Sequence, residues 1–431
     1  MTAFITVRPR RTMTRVLAGL TALMLLLTGC SGTPESGGPL KLTVATFGEF
    51  GYEKLFDDYE KAHPGITIEG RVADFETHHR QLATGLGAGR GSADVVAIEE
   101  QYLPKFRQSG DKFTDLSEFG AQGLREQWPA WKWDQGTAEN GKFVMGLGTD
   151  MGSLALCYRR DLFANAGLPT DRDQVAALWP TWEKFAETGE RFSAKAPDDV
   201  KFADSAGTVY TAMLNQAQEN YFSKDDKFIA DTNPNVRKAF ELAGGMALKK
   251  ETAAVTTFTQ PWTVAIKQSR FAAITCPAWM LTQIEEAGGP ELAGKWDVTS
   301  VPGKAGNWGG SFLTVPKQGA HRKEAYDLAV WLTAPEQQKR IFLESGLLPS
   351  ALGAYQDSAV LSHTSQYFSG APIGKIFAAS AEALRPNYRG LRDGEVRPVY
   401  GHALGRVEEG KQSLDQAWNQ AATEGRAAAA N

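Results

Sequence analysis

Aromatic rings and carboxylates at the ends of predicted strands are the residues of this 431-residue chain best placed to do chemistry. Trp279 follows the apolar run Phe271-Ala-Ala-Ile-Thr275, and Trp308 precedes Gly309-Gly310 and a second strand pattern. From such positions a side chain reaches a cleft. An indole face matches the apolar C–H face of a pyranose ring, while polar groups take the hydroxyls. Of the 11 tryptophans, Trp331 and Trp418 fall on apolar helical faces and Trp182 at a helix start, all expected in the core. Glu99-Glu100 supplies paired carboxylates, and glycoside hydrolysis needs two acids flanking a sugar. With 50 acidic residues in the chain, such a pair alone does not indicate a hydrolase.

Other chemistries lack their motifs. The six histidines form no His-Glu-x-x-His, and there is no Cys-x-x-Cys. His78-His79 is expected on an exposed helix, with no metal. The glycine run from Gly85 to Gly91 lacks the Gly-Lys-Ser/Thr ending of a phosphate loop and precedes a strand, so it reads as a helix-to-strand turn. Gly309-Gly310-Ser311-Phe312 lacks the second glycine of a nucleophile elbow. No metal, no cofactor and no catalysis are expected.

The elements that would position these residues alternate. Lys41–Thr46 and Ile66–Val72 read as strands, as does Asp94–Ile98, with helices over Phe50–Ala62 and His78–Leu86 between them. This order argues for a parallel, doubly wound sheet. Trp128–Lys142 reads as a tryptophan-rich loop, followed by a glycine-dense strand, Val144–Asp150, and the strand holding Cys157. Helices then run to Lys250, and strands are expected at Phe271–Thr275, Trp296–Val301 and Gly309–Val315. Helices over Lys323–Ser345 and Leu404–Ala422 close the chain. The reading is α/β, with a first lobe at 41–150, a second at 151–300, and 301–431 crossing back to the first lobe with the C-terminal helices. Part of 350–400 returns to the second lobe. Ligands bind between such lobes, at the carboxyl ends of strands.

Ahead of the lobes, Leu27-Thr28-Gly29-Cys30 ends an apolar stretch from Val16 to Leu27 that follows Arg8, Arg10, Arg11 and Arg15. A basic region, a short apolar region and a small residue before the cut make residues 1–29 a secretory signal, too short for the ~20 residues a bilayer span needs. The placement of Cys30 resembles the bacterial lipobox, in which the thiol carries a diacylglycerol; the alternative is a plain secreted protein. Residues 30–40 form a flexible tether. Met13 is an alternative start, which would remove Arg10-Arg11 and its resemblance to a twin-arginine export signal.

The formal net charge is −4, or about −8 once the four leader arginines are set aside. A chain of this sign without a basic stripe has no electrostatic footprint for nucleic acid. Roughly 400 residues beyond the leader suit two lobes better than one core. Cys157 and Cys276 both lie in predicted buried strands, and either a disulfide or two separate thiols fits the composition.

Five segments carry a resemblance that spans the chain beyond its leader. They are Ala62-His-Pro-Gly-Ile-Thr-Ile-Glu69, Gly91-Ser-Ala-Asp94-Val-Val, Thr149-Asp150 through Tyr158-Arg-Arg-Asp161-Leu-Phe, Phe271 through Cys276-Pro-Ala-Trp279, and Trp308-Gly-Gly-Ser-Phe-Leu-Thr-Val-Pro316-Lys. In their order and spacing the chain resembles the extracellular solute-binding proteins of carbohydrate ABC transporters, the group that includes maltose-binding protein. Asp94–Glu100, Cys157-Tyr-Arg-Arg, Thr275–Met280, Tyr388-Arg-Gly-Leu-Arg-Asp393 and Ala403–Lys411 are similar to the actinobacterial cellobiose and cello-oligosaccharide binders.

The resemblance implies a two-lobed periplasmic-binding-protein type II fold with a hinge and an interlobe cleft, and a Cys157–Cys276 disulfide. It places Phe47, Glu49, Glu99, Glu100, Gln101, Asp150, Trp279, Trp308, Gly309, Gly310, Arg392 and Asp393 in the cleft. The carboxylates would accept from sugar hydroxyls and Arg392 would donate to them. It further implies capture of cellobiose or a short cello-oligosaccharide by hinge closure and delivery to the membrane permease of an ABC importer. The protein would be a monomer, lipid-anchored on the extracellular face of the cell membrane. Xylobiose, laminaribiose and a chitin disaccharide are the alternative ligands, and a secreted glycoside hydrolase is the rival class.

Overall fold

Alternating burial along Leu40–Phe47 sets Leu42 and Val44 against a helical layer and makes β1. The computed structural model describes residues 39–430, so the signal, Cys30 and most of the tether lie outside the described residues. Helix α1 (Glu53–Ala62) buries Leu55 and Tyr59, and β2 (Ile66–Ala73) returns parallel to β1. Helix α2 (Phe75–Ala88) starts on an Asp74 cap that accepts from the Thr77 N–H at 2.9 Å, and it stops at Gly89 in the left-handed region. The fully buried β3 (Val95–Glu99) then pairs parallel with β1.

Two sequence expectations change in this half. His78 and His79 face inward from α2, 4% and 2% exposed. Each ring finds a backbone partner: His78 Nε2 lies 2.7 Å from the Ala97 carbonyl, and His79 accepts from the Glu99 N–H at 3.2 Å. The tryptophan-rich segment is not all loop either. After the short α3 (Leu103–Arg107), it contains α4 (Ala130–Gln135), which begins after Pro129 and buries Lys132 and Trp133.

The short β4 (Gly146–Gly148) ends the first pass. The chain then builds a second sheet from β5 (Leu154–Arg159), β6 (Lys201–Ala203), β7 (Phe271–Pro277) and β8 (Trp296–Thr299), in the order β8-β5-β7-β6. Between β6 and β7 run α5 (Ala206–Leu214) and α6 (Pro234–Leu248). Strands β5 and β7 are antiparallel, with Cys157 opposite Ile274 and Ala155 opposite Cys276. The two cysteines are thus diagonal neighbours on one face and are bonded, with Cα atoms 5.9 Å apart.

Returning to the first sheet, β9 (Ser311–Thr314) inserts antiparallel between β3 and β4 and completes the order β2-β1-β3-β9-β4. The first sheet is therefore parallel only over β2-β1-β3. Of its last two strands, which come from segments that cross between the sheets, only β9 runs against the rest; β4, antiparallel to β9, has the sense of β1 and β3. Helix α7 (Arg322–Leu332) packs Leu328 and Leu332 into this core.

Helix α8 (Ile373–Glu382) then lies against β5 and β8. The closing helices α9 (Asp393–Glu408) and α10 (Leu414–Ala430) pack on α5 and α6 of the second sheet, not on the first lobe as the sequence reading expects. Their apolar faces decide this, since Tyr400, Leu404 and Trp418 share one core with Tyr210 and Phe240. Among the described residues no helix is long and apolar enough to cross a membrane.

Three segments pass between the sheets, and they are tied to one another. Thr149 N–H donates to the Ser311 carbonyl at 3.0 Å, and Met151 N–H to that of Leu348 at 3.0 Å. Gly152 and Trp308 are joined by the Trp308 N–H donating to the Gly152 carbonyl at 2.8 Å. A Cβ on Gly152 would lie 1.7 Å from the Trp308 carbonyl oxygen, so only glycine allows this approach.

Candidate ligand cleft

The carboxyl end of β3 and the residues just beyond β7 meet across the second crossing segment. Glu99, the last residue of β3, is held from two sides. The neutral His79 ring, its pKa driven down to about 3 by burial, accepts from the Glu99 N–H. The other ring nitrogen, Nδ1, therefore carries the proton and donates to the Phe75 carbonyl at 2.8 Å. Gln101 N–H donates to Glu99 Oε2 at 2.7 Å. The second oxygen, Oε1, points at Gly309: a Cβ there would sit 3.4 Å from Oε1 and 3.6 Å from Trp279 Nε1. Glu99 and Trp279, from different sheets, thus converge on one backbone position. Burial first, and the charge of Glu100 second, push the Glu99 carboxyl well above its usual range.

Trp279 donates its Nε1–H to the Trp308 carbonyl at 3.0 Å, and the two ring centroids lie 6.1 Å apart at 80°. Phe258 adds a third ring, 5.6 Å from Trp279 and 6.3 Å from Trp308. Phe258 is 49% exposed and has φ +66°, a conformation that costs an aromatic residue about 1–3 kcal/mol and persists where surroundings over-determine it. Together the three rings form an aromatic wall on the second lobe. The sequence reading missed Phe258, because nothing in Thr256-Thr-Phe-Thr259 marks a positive φ.

The remaining expected residues fall into three groups. Phe47 packs in a cluster with Phe50, Phe75 and His79 beside the Glu99 turn, and Glu49 is exposed. Asp150, Gly309 and Gly310 belong to the crossing segments. Asp150 Oδ1 accepts from Thr149 Oγ1 at 2.7 Å and from Ser311 N–H at 2.9 Å. Gly310, at φ +121°, leaves room for the Asp150 carbonyl and Lys132 Nζ, which a Cβ would meet at 2.8 and 3.0 Å.

Arg392 and Asp393 form the third group. Arg392 is a half-exposed side chain with Nη1 3.8 Å from Glu395. Asp393 is fully buried and is held by Arg389 and Arg397, so it supports the loop and does not face the cleft. The guanidinium that reaches the other lobe is that of Arg389, which donates to Glu100 Oε1 at 3.1 Å. Glu100 Oε2 accepts from Asn307 Nδ2 at 2.7 Å. Arg389 lies inside the Tyr388–Asp393 motif, but the spacing could not tell which of its two arginines turns inward. Lys132 was hidden by the loop reading. It is fully buried, its Nζ has no hydrogen-bond partner among the described residues, and it sits 4.0 Å from the Phe312 ring centroid. Burial lowers its pKa, against the charges of Asp150, Glu100 and Glu99.

The arrangement suits binding. Glu100 has both oxygens engaged, so the Glu99-Glu100 pair does not offer the two free acids of a two-carboxylate mechanism. Among the described residues no three His, Cys, Asp or Glu side chains are grouped to hold a metal ion.

Comparison with known proteins agrees with this reading. The family model of bacterial extracellular solute-binding proteins matches residues 54–366. A crystal structure of an extracellular solute-binding protein of family 1 is 43% identical, covers 91% of this chain and 100% of its own, and superposes with a TM-score of 0.84. The arabinooligosaccharide-binding protein of Bacillus subtilis is 23% identical over 386 residues, 85% of this chain and 87% of the relative. The ABC transporter associated binding protein of B. animalis subsp. lactis, in complex with β-1,6-galactobiose, is 21% identical with a TM-score of 0.74, covering 90% of this chain and 96% of that one. The chain belongs to the bacterial extracellular solute-binding proteins, with the type II periplasmic-binding-protein fold, and is not an enzyme.

The raised Glu99 carboxyl has a thermodynamic consequence. The folded state holds this proton more tightly than the unfolded state, so stability falls as pH rises above the ordinary carboxylate range. Asp204 and Glu251, both raised to about 7 by burial, act in the same direction. The melting temperature of the unliganded protein should therefore fall between about pH 5 and about pH 8, and Glu99→Gln should flatten that fall. An identical slope in the variant would show that Glu99 ionises normally.

Proposed function

We propose that this solute-binding protein takes a short oligosaccharide, cellobiose or a cello-oligosaccharide first, into the cleft between its two sheets. The sugar is captured by closure of the lobes and passed to the permease of an ABC importer. The observation that carries the reading is the aromatic wall of Trp279, Trp308 and Phe258 standing opposite the open Glu99 oxygen. Indole faces pack on the C–H faces of a pyranose, and Glu99 and Gln101 take hydroxyls from the opposite lobe. Contacts to both lobes are complete only in the closed state, so binding favours closure. Relatives named for arabino-oligosaccharides and crystallised with galactobiose support a sugar of this size. The choice of cellobiose over xylobiose, laminaribiose or a chitin disaccharide rests on the framework segments alone.

We also propose that Cys30 carries a lipid that holds the protein, as a monomer, on the outer face of the cell membrane. The basic, apolar and small-residue order before Cys30 supports this. Cys30→Ala should move the protein from the membrane fraction to the soluble fraction without changing its sugar affinity. Equal fractionation of variant and parent would remove the anchor from the account.

A thermal-shift screen across disaccharides identifies the ligand, since binding to the folded state raises its melting temperature. Calorimetric titration of Trp308→Ala with that sugar then tests the wall. Affinity should fall at least tenfold, about 1.4 kcal/mol, while the unliganded melting temperature moves little. A variant that melts several degrees lower and keeps its affinity would reduce Trp308 to a core residue.

A further inference from the structure

We infer that Glu100 and Arg389 form a clasp that draws the two lobes together independently of ligand, which makes Arg389 a positioning residue for capture and not a ligand contact. The two side chains come from opposite lobes. Glu100 directly follows β3, and its N–H donates to the Gly310 carbonyl at 3.0 Å. Arg389 stands in the loop between α8 and α9 and is moored to the second lobe on every side. Tyr388 N–H donates to the Gln218 carbonyl at 2.8 Å, and Leu391 N–H to Asp226 Oδ1 at 3.0 Å. The guanidinium itself donates to Asn215 Oδ1 at 2.9 Å and to Asp393 Oδ2 at 3.4 Å. Among the described residues Glu100 is its one partner in the first lobe.

The pair is dry. The two side chains are 6% and 3% exposed, where charges attract far more strongly than in water. Burying an ion pair is unfavourable when lone pairs and protons are left unmatched. Here Asn307 takes the second oxygen of Glu100, while Asn215 and Asp393 take further protons of Arg389. Arg397 Nη2 in turn donates to Asp393 Oδ2 at 3.0 Å, so the supporting carboxylate is itself paired. A second interlobe pair, Lys105 Nζ to Glu395 Oε1 at 3.0 Å, joins α3 to α9 at the rim. It is partly exposed and weak by itself, but it pulls in the same sense.

Parting the lobes on this side separates Glu100 from Arg389, while the moorings of each within its own lobe stay intact. The clasp therefore acts on the open–closed equilibrium. The apparent affinity for any ligand is its intrinsic affinity reduced by the fraction of protein able to close. Removing the clasp should weaken all ligands by one common factor, whereas removing a ligand contact weakens each by its own.

The decisive test uses no ligand, so its result is independent of which sugar binds. Small-angle scattering of the unliganded protein should give a larger radius of gyration for Glu100→Gln and for Arg389→Gln than for the parent. The double variant should be no larger than either single one, because one interaction has been removed twice. Arg389→Lys, which keeps the charge but not the planar fork, serves if a glutamine variant misfolds and should also give a larger radius, while Lys105→Gln, which leaves the clasp intact, should expand the protein less. With saturating cellobiose, or another disaccharide that stabilises the parent, all variants should return to the parent's liganded radius. Their affinities for two such sugars should drop by the same factor, about three- to tenfold. Unchanged unliganded radii in folded variants would overturn the clasp. So would affinity losses that differ between the sugars or add in the double variant.

Discussion

The close approach of Gly152 to the Trp308 carbonyl is the constraint on which the rest of this structure depends. Two crossing segments touch there, backbone to backbone, and the third is bound to them through Met151 and Leu348. This ladder holds the crossing segments that join the two sheets in one register. It also decides which way the residues just beyond it point. The carbonyl of Trp308 that Gly152 admits also accepts from the Trp279 indole, so the same contact sets the aromatic wall. The glycines at 309 and 310 let the chain turn at positive φ and bring Glu99, Asp150 and Lys132 within reach of one another. Residues that sequence reasoning assigned to ligand contact are, in several cases, the ones that hold this joint together.

Charge is concentrated at the joint. The carboxyl groups of Glu99, Glu100 and Asp150 gather around the buried amino group of Lys132, while Arg389 enters from the second lobe. Isolated, any of these charges would cost several kcal/mol to bury. Their mutual placement offsets that cost only while the crossing segments and the Arg389 loop keep their positions. Glu99 combines an unengaged oxygen with a raised carboxyl pKa, which suits a group that exchanges hydrogen bonds with a neutral polar ligand. The electrostatics and the hinge are thus two aspects of one arrangement.

Much of the first sheet was legible because its periodicity is strong. The strand around Val44, the helix around Leu55 and the strand Val95–Glu99 announce themselves by alternation, helical spacing and continuous burial. The places of Trp279 and Trp308 beside strands were legible, and the structure brings their two rings together. The antiparallel insertion of β9 between β3 and β4 was not legible, since crossing segments leave no periodic trace. The two histidines were misplaced because a polar ring on a helix looks solvent-facing until a backbone partner is known. Lys132 and Phe258 were missed for a similar reason: their roles come from contacts distant in sequence. The motif around Arg389 was found, yet only three-dimensional packing shows that Arg389 reaches Glu100 while Arg392 stays outside and Asp393 lies beneath.

Closure on a sugar held by both lobes would bury backbone on both sides of the cleft at once. Amide hydrogen exchange, followed with and without the disaccharide that most stabilises the protein, examines it residue by residue. Exchange should slow on both sides of the cleft in the same titration: at Glu99–Tyr102 on the first lobe, and at Thr256–Phe258 and Trp279–Leu281 on the second. Protection confined to one lobe, or no slowing at Trp279 and its neighbours with any bound sugar, would contradict it.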